Sequence, residues 1–386
     1  MTQAVVLAAG EGRRLRPLTH ARPKALIPVA NRPIIEYVIE SLVKNGIRDI
    51  TVVVGYRKEQ VMRYLNTLDI SLNIVIQDKQ LGTAHALGCA ASSINDRFLL
   101  LPGDNYIDYD SIARIKSENN AVLVKENPQP SNFGVVIQKG EYIERIDEKP
   151  EIAESFIVST GIFSLMPSFL DAIRCGTDIP EAISCFIDGG ASIRAIPAKD
   201  WMDAVYPWDL LTMNEKLITK VSPSRAGIFH RTSIIQGQVR VGKGTKIGPG
   251  AVIRGPVIIG EDCNIGPYCC IEPGTSIGDR VSIEPYTFVK DAIIMDSVSI
   301  GSHSRIVRSI IGEGCILLDH TSTVSRANMI EIEGKLLKPE FGTILGDSVC
   351  SAPFTTFHNC IIGNRTVVEV PGRSLYHMVP DDSRVV

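Results

Sequence analysis

A chain of 386 residues exceeds what one ordinary hydrophobic core serves, so two domains are expected. Its 44% hydrophobic and 22% charged residues suit a globular protein, and a net charge of −3 supplies no general attraction to nucleic acid or anionic membrane, so neither is an expected partner. No apolar run reaches the roughly 18 residues of a membrane span, no basic leader precedes the first apolar run, and nine cysteines without a Cys-x-x-Cys pair argue against a disulfide framework or thiolate zinc site; a cytoplasmic location follows as the expectation.

Up to about residue 220, short apolar runs alternate with amphipathic stretches, as at Ala4-Val5-Val6-Leu7, Ile50-Thr51-Val52-Val53-Val54 and Phe98-Leu99-Leu100-Leu101. This alternation predicts α/β structure with a mainly parallel sheet covered by helices on both faces. The first strand runs into Leu7-Ala8-Ala9-Gly10-Glu11-Gly12-Arg13-Arg14-Leu15-Arg16-Pro17, and Arg22-Pro23-Lys24 follows. Small residues let backbone N–H groups approach phosphate oxygens, while Arg and Lys supply charge where a triphosphate reacts. Leu15 stands where a Gly-x-Gly-x-x-Gly fingerprint needs its last glycine, and no Gly-Lys-Ser/Thr follows for a P-loop, so a third loop type is needed.

Farther along, residues 33–43 place Ile34, Ile35, Val38, Ile39 and Leu42 at helical spacing, with Pro33 suited to a first turn. Residues 77–84 read as a polar loop capping a helix that begins near Gly82. Asp104 follows an apolar strand and should emerge at the carboxyl end of the sheet, where open α/β folds bind ligands.

From residue 229 the texture changes. Phe229, Ile235, Val241, Ile247, Ile253, Ile259, Ile265, Ile271, Ile277, Ile283 and Val289 fall six residues apart, and glycine follows several of them. Such a period marks a solenoid, with its boundary near residues 221–224. The rhythm shifts around Ile294, resumes at Ile300 and Ile306, and shifts again at Ile311. A polar segment, 328–338, reads as an excursion before the coil returns at 342–347 and 361–363.

The coil resembles the left-handed parallel β-helix of hexapeptide-repeat proteins, and the first loop with Pro23-Lys24 resembles the signature of the sugar-phosphate nucleotidylyltransferases. The resemblance implies a Rossmann-like nucleotidyltransferase domain over residues 1–222 and a β-helix over 223–386. It implies Mg2+-dependent transfer of a nucleotidyl group from a nucleoside triphosphate, UTP or dTTP favoured, to a sugar 1-phosphate, glucose 1-phosphate or N-acetylglucosamine 1-phosphate favoured. Leu7, Ala8, Ala9 and Gly10 become base and phosphate contacts. Gln77, Gly82 and Thr83 lie at the base; Arg14, Lys24 and Lys149 stabilise charge; Asp104 and Asp203 hold the metal. Gly134, Glu148, Ser159 and Thr160 belong to segments around the sugar phosphate, and Ser159 stands where relatives specific for N-acetylglucosamine 1-phosphate commonly carry asparagine.

The two-domain layout also resembles bifunctional enzymes that acetylate glucosamine 1-phosphate before uridylating it, with His303 and Asn328 matching their base and asparagine, and acetyl-CoA as cosubstrate if that activity is present. Ile306 stands where those enzymes carry tyrosine, and Glu340 falls near an expected lysine. A similar layout occurs in regulatory subunits of the eukaryotic translation initiation exchange factor, whose catalytic motifs are eroded. Coils of this kind associate as homo-oligomers, commonly trimers.

Overall fold

The computed structural model describes residues 2–386; Met1, where the first expected domain begins, lies outside the described residues. Contacts divide the chain into two compact units. One comprises residues up to Glu11, Pro23–Leu26 and Pro33–Asp203; the other comprises Gly12–Arg22, Ile27–Arg32 and Ala204–Val386.

The first unit is built on a nine-stranded sheet. Asn73–Ile76, Ile50–Val54, Gln3–Ala8 and Phe98–Pro102 lie side by side and parallel. Because successive side chains of a strand point to opposite faces, these apolar runs feed two cores. Ala4, Val6, Ala8, Val52, Val54, Leu99 and Leu101 pack on one face, and Val5, Val53 and Leu100 on the other. Helix Ile34–Lys44, preceded by Pro33, covers the first face through Ile35, Val38, Ile39 and Leu42, and helix Thr83–Ala90 covers the second through Ala84, Leu87 and Ala90. Each fully buried aliphatic side chain contributes roughly 1.5–3 kcal/mol, enough to select these faces.

Beyond Phe98–Pro102 the sheet is mixed. Ile157–Leu165 runs antiparallel to all three strands it pairs with, Phe98–Pro102, Ala121–Glu126 and Gly134–Lys139; Arg194–Pro197 is parallel to Ala121–Glu126, and the hairpin of Gly134–Lys139 and Tyr142–Glu148 closes the edge. A separate short ribbon pairs Trp201–Asp203 with Asn105–Ile107, setting Asp203 opposite Asn105.

The second unit is a left-handed β-helix of three parallel sheets with eight, nine and eight strands. Ile247, Ile265 and Ile283 stack in register along one sheet, Ile253, Ile271 and Val289 along another, and Ile259, Ile277 and Ile294 along the third. Their side chains fill the interior. The shift in rhythm at Ile294 has a local cause: from that coil onward one corner loses a residue and is closed by Asp291, Arg308 or Asn359 at φ of 49°, 47° and 44°. Asp and Asn tolerate this left-handed region better than most side chains.

The expected excursion is a β-hairpin. Ile330–Ile332 pairs with Lys335–Leu337 across Glu333 and Gly334, both at positive φ, the conformation of a tight two-residue hairpin loop. The coil then resumes, with Ile344 stacked on Ile310. Helix Asp209–Ile218 packs in this unit through buried Asn214, whose Oδ1 accepts from the Ala30 N–H and the Ser276 hydroxyl at 2.8 Å each and whose Nδ2 donates to the Gly274 carbonyl at 2.8 Å.

Candidate active site

The central strands end close together because Gly103 has no side chain. Its N–H donates to the Leu7 carbonyl at 2.8 Å, and a Cβ there would lie 3.0 Å from that of Ala8. Asp104 follows immediately, and the Trp201–Asp203 ribbon carries Asp203 to the same place. Lys24 stands between them, its Nζ 3.0 Å from Asp104 Oδ2 and 2.7 Å from Asp203 Oδ1, with only 11% of its side chain exposed.

Burial alone would lower the Lys24 pKa, but the charges of Asp104 and Asp203 and their hydrogen bonds outweigh it and hold the ammonium above its ordinary value. Burial raises the Asp203 carboxyl, and Asp104 adds to the rise, against the opposing charges of Lys24 and Lys149. Two carboxylates thus converge on one cation position. That donor set fits magnesium, which is held by one or two carboxylates together with substrate phosphates. Among the described residues no cluster of three or more His, Cys, Asp or Glu could hold a metal unaided.

Around the first loop, the Ala9 carbonyl accepts from the Tyr56 N–H and from Gln80 Nε2 at 3.0 Å each, while the space beside Gly10 is open. Gln77 is 4% exposed, and its Nε2 lies 3.0 Å from the Gly82 carbonyl and 2.9 Å from His85 Nδ1. Gly82 has φ of +99°, and a Cβ would sit 2.2 Å from the Thr177 carbonyl oxygen. Thr83 donates its N–H and hydroxyl to Asp178 Oδ1 at 3.0 and 3.1 Å, and its Oγ1 accepts from the Ile179 N–H at 2.9 Å. Thr83 therefore ties together the starts of helices Thr83–Ala90 and Ile179–Asp188.

On the opposite side, hairpin register sets Gly134 against Glu148. A Cβ on Gly134 would lie 3.1 Å from Glu148 Oε2 and 3.9 Å from Ser159 Cβ. Lys149 pairs with Glu148 Oε1 at 2.5 Å. Thr160 faces the other way, as strand alternation requires: it is buried, donating to the Leu123 carbonyl at 2.9 Å and accepting from the Ile162 N–H at 3.3 Å.

The family model described as "Nucleotidyl transferase" matches residues 3–220. The chain belongs to the nucleotidyl transferase family. It is an enzyme of the sugar-1-phosphate nucleotidylyltransferase type. A model described as "GMPPB C-terminal domain" matches residues 253–371 of this nucleotidyl transferase. "Bifunctional protein GlmU" of Methanococcus maripaludis (strain DSM 14266) is 35% identical over 364 residues, 90% of this chain and 88% of the relative. "Glucose-1-phosphate thymidylyltransferase" of Streptomyces antibioticus is 29% identical over 264 residues, 64% of this chain and 74% of the relative. A solved structure titled as a putative glucose-1-phosphate thymidylyltransferase from Bacillus anthracis matches with TM-score 0.53 at 26% identity, covering 58% of this chain and 98% of that one.

Three further residues of this nucleotidyl transferase lie in the second unit. Arg14, on the turn Arg13–Leu15, directs Nε to Glu333 Oε2 at 2.8 Å, at the tip of the excursion hairpin. His303 stacks between Tyr286 and His320, with ring centroids 5.0 Å away on each side, in a column that continues to Tyr268 and Phe354. Asn328 lines a cavity of about 300 Å³ together with Ile330, Asn359, Tyr376 and His377, and His303 is not among its lining residues.

Sequence reasoning missed Asp178 and Glu333. Asp178 was detectable in principle as Asp ahead of Ile179-Pro180, a helix-start signal. Glu333 beside Gly334 marks a tight turn, but nothing local says that its carboxylate meets Arg14.

Proposed function

We propose that this enzyme transfers the nucleotidyl group of UTP or dTTP to glucose 1-phosphate or N-acetylglucosamine 1-phosphate, releasing pyrophosphate. The observation that carries the reading is Lys24 held between Asp104 and Asp203, with the Lys149 charge acting on Asp203 as well. A phosphate oxygen of the sugar phosphate attacks the α-phosphorus; the new P–O bond forms as the bond to the bridging β-phosphate oxygen breaks, and pyrophosphate leaves with that electron pair. The nucleophile is already anionic, so no strong base is required, and positioning with charge neutralisation suffices. Lys24, Lys149 and Arg14 bind the phosphates and spread the developing charge. Magnesium bound by Asp104 and Asp203 would supply Lewis-acid neutralisation of the same oxygens.

In this reading Leu7, Ala8, Ala9 and Gly10 border base and phosphates, and Gln77, Gly82 and Thr83 border the base. Gly134, Glu148, Ser159 and Thr160 belong to the segments around the sugar. Residues 1–222 form the transferase domain and 223–386 the coil. Pyrophosphate release across UTP, dTTP, CTP and GTP against several sugar 1-phosphates tests the assignment. Turnover restricted to a uracil or thymine nucleotide with one of the two favoured sugars upholds it; preference for GTP or CTP removes it.

The word "bifunctional" in the Methanococcus relative's name supports a second reading, acetyl transfer from acetyl-CoA to glucosamine 1-phosphate with His303 as base and Asn328 nearby. Thiol release from acetyl-CoA that needs glucosamine 1-phosphate and vanishes in His303→Ala is the expected result under that reading. Release that persists in the variant excludes it.

A further inference from the structure

Several anchors of the coil are followed by glycine and then by an acid or amide: Gly346-Asp347 and Gly363-Asn364 are examples, and Asp381 holds the equivalent place one coil on. The glycine is needed because the next coil passes where a Cβ would be, 2.8 Å from the Asn364 N at Gly346 and 2.3 Å from the Asp381 N at Gly363. The residue after it binds the coil below. Asp347 Oδ1 accepts from the Glu313 N–H at 2.9 Å, Asn364 Oδ1 from the Asp347 N–H at 2.7 Å, and Asp381 Oδ1 from the Asn364 N–H at 2.8 Å. One acceptor oxygen is all this ladder requires, and Asn364 serves it without a charge.

The second oxygen is therefore available for another purpose, and it faces the signature loop. Asp347 Oδ2 lies 2.7 Å from Arg22 Nη2, which also reaches Glu313 Oε2 at 3.0 Å. Asp381 Oδ2 lies 2.6 Å from His20 Nδ1, and Asn364 Nδ2 donates to the Pro17 carbonyl at 3.1 Å. The Arg22 and Asp347 side chains are 12% and 15% exposed, so this pair is shielded from solvent and screened little by salt. Asp296 supplies the contrast. Its Oδ1 makes the same ladder bond, to the Asp279 N–H at 3.0 Å, but its Oδ2 meets Arg280 of the coil itself at 3.2 Å.

We propose that Asp347 and Asp381 are positioning residues for nucleotidyl transfer: they fix the segment Gly12–Arg22 and thereby the presentation of Arg14 to the triphosphate. This rests on the reading that Arg14 binds the nucleotide. The coil then serves the reaction directly, as the bed on which part of the phosphate loop is held.

Asp347→Asn and Asp381→Asn keep the ladder acceptor and remove the charge that holds the loop, so both should fold with little change in melting temperature. Expected for each is hydrogen exchange at amides 12–22 faster by about tenfold or more, with coil amides unchanged, and a KM for the nucleoside triphosphate raised about tenfold with the KM for sugar phosphate unaltered. Asp347→Glu should recover part of the loss, and Asp296→Asn should behave as wild type. Unchanged exchange and unchanged KM in both variants, or equal effects from Asp296→Asn, overturn the proposal. If wild-type protein turns over no nucleotide at all, the catalytic reading fails; exchange at residues 12–22 still decides whether the coil acids hold the loop.

Discussion

Removing the Lys24 ammonium would leave Asp104 and Asp203 facing each other without the cation between them. In Lys24→Met, kcat/KM should fall by about 100-fold or more, the scale of losing one charge-stabilising donor. The variant should also respond more strongly to magnesium alone: with the competing cation gone, added magnesium should raise its melting temperature more than that of wild type in a thermal-shift titration. An equal shift in both proteins would mean that the carboxylates do not share one cation position. Arg14 poses a milder case. Its pair with Glu333 is partly exposed, such pairs are worth about 0–1 kcal/mol, and so Glu333→Gln should lower the KM for triphosphate by no more than about fivefold. Gly82 is a strict backbone position at the start of helix Thr83–Ala90. Gly82→Ala forces a side chain to positive φ and against the Thr177 carbonyl, and an unfolding titration should show a loss of about 2 kcal/mol or more.

At the scale of elements, the ladder of aliphatic anchors was legible because each one faces the same interior, and the central strands because both their faces are buried. The shortened corner was visible only as a broken rhythm; its cause, one residue at positive φ, is a backbone conformation that Asp291, Arg308 and Asn359 do not share as a residue type. Asp104 and Asp203 were each readable from their motifs, but their meeting depends on a three-residue ribbon too short to announce itself. Thr160 shows the limit of motif transfer: its neighbour Ser159 lies beside Gly134, while strand alternation turns Thr160 into the sheet. Helix Asp209–Ile218 makes a direct test of packing logic. Asn214→Ala would strip a buried donor and two acceptors' worth of bonding from Ala30, Ser276 and Gly274, and each orphaned group costs about 1–3 kcal/mol. A destabilisation of about 3 kcal/mol or more is expected in denaturant titration, and a loss below about 1 kcal/mol would show that water replaces those bonds.

For the whole molecule, the coil is expected to assemble the chain as a homo-oligomer, with a trimer favoured, and sedimentation equilibrium should return three times the chain mass of 42.1 kDa. No helix among the described residues is long and apolar enough to cross a membrane. Nucleotidyl transfer at the Lys24 cluster is the proposed chemistry. Pyrophosphate release by wild type and Asp104→Ala, each with its sugar 1-phosphate and each titrated with magnesium, tests it most directly. The expected result is sugar-dependent release that needs the metal and falls by about 100-fold or more in the variant at every magnesium concentration. Release of equal rate from Asp104→Ala, or a wild-type rate indifferent to chelation of the metal, would contradict it.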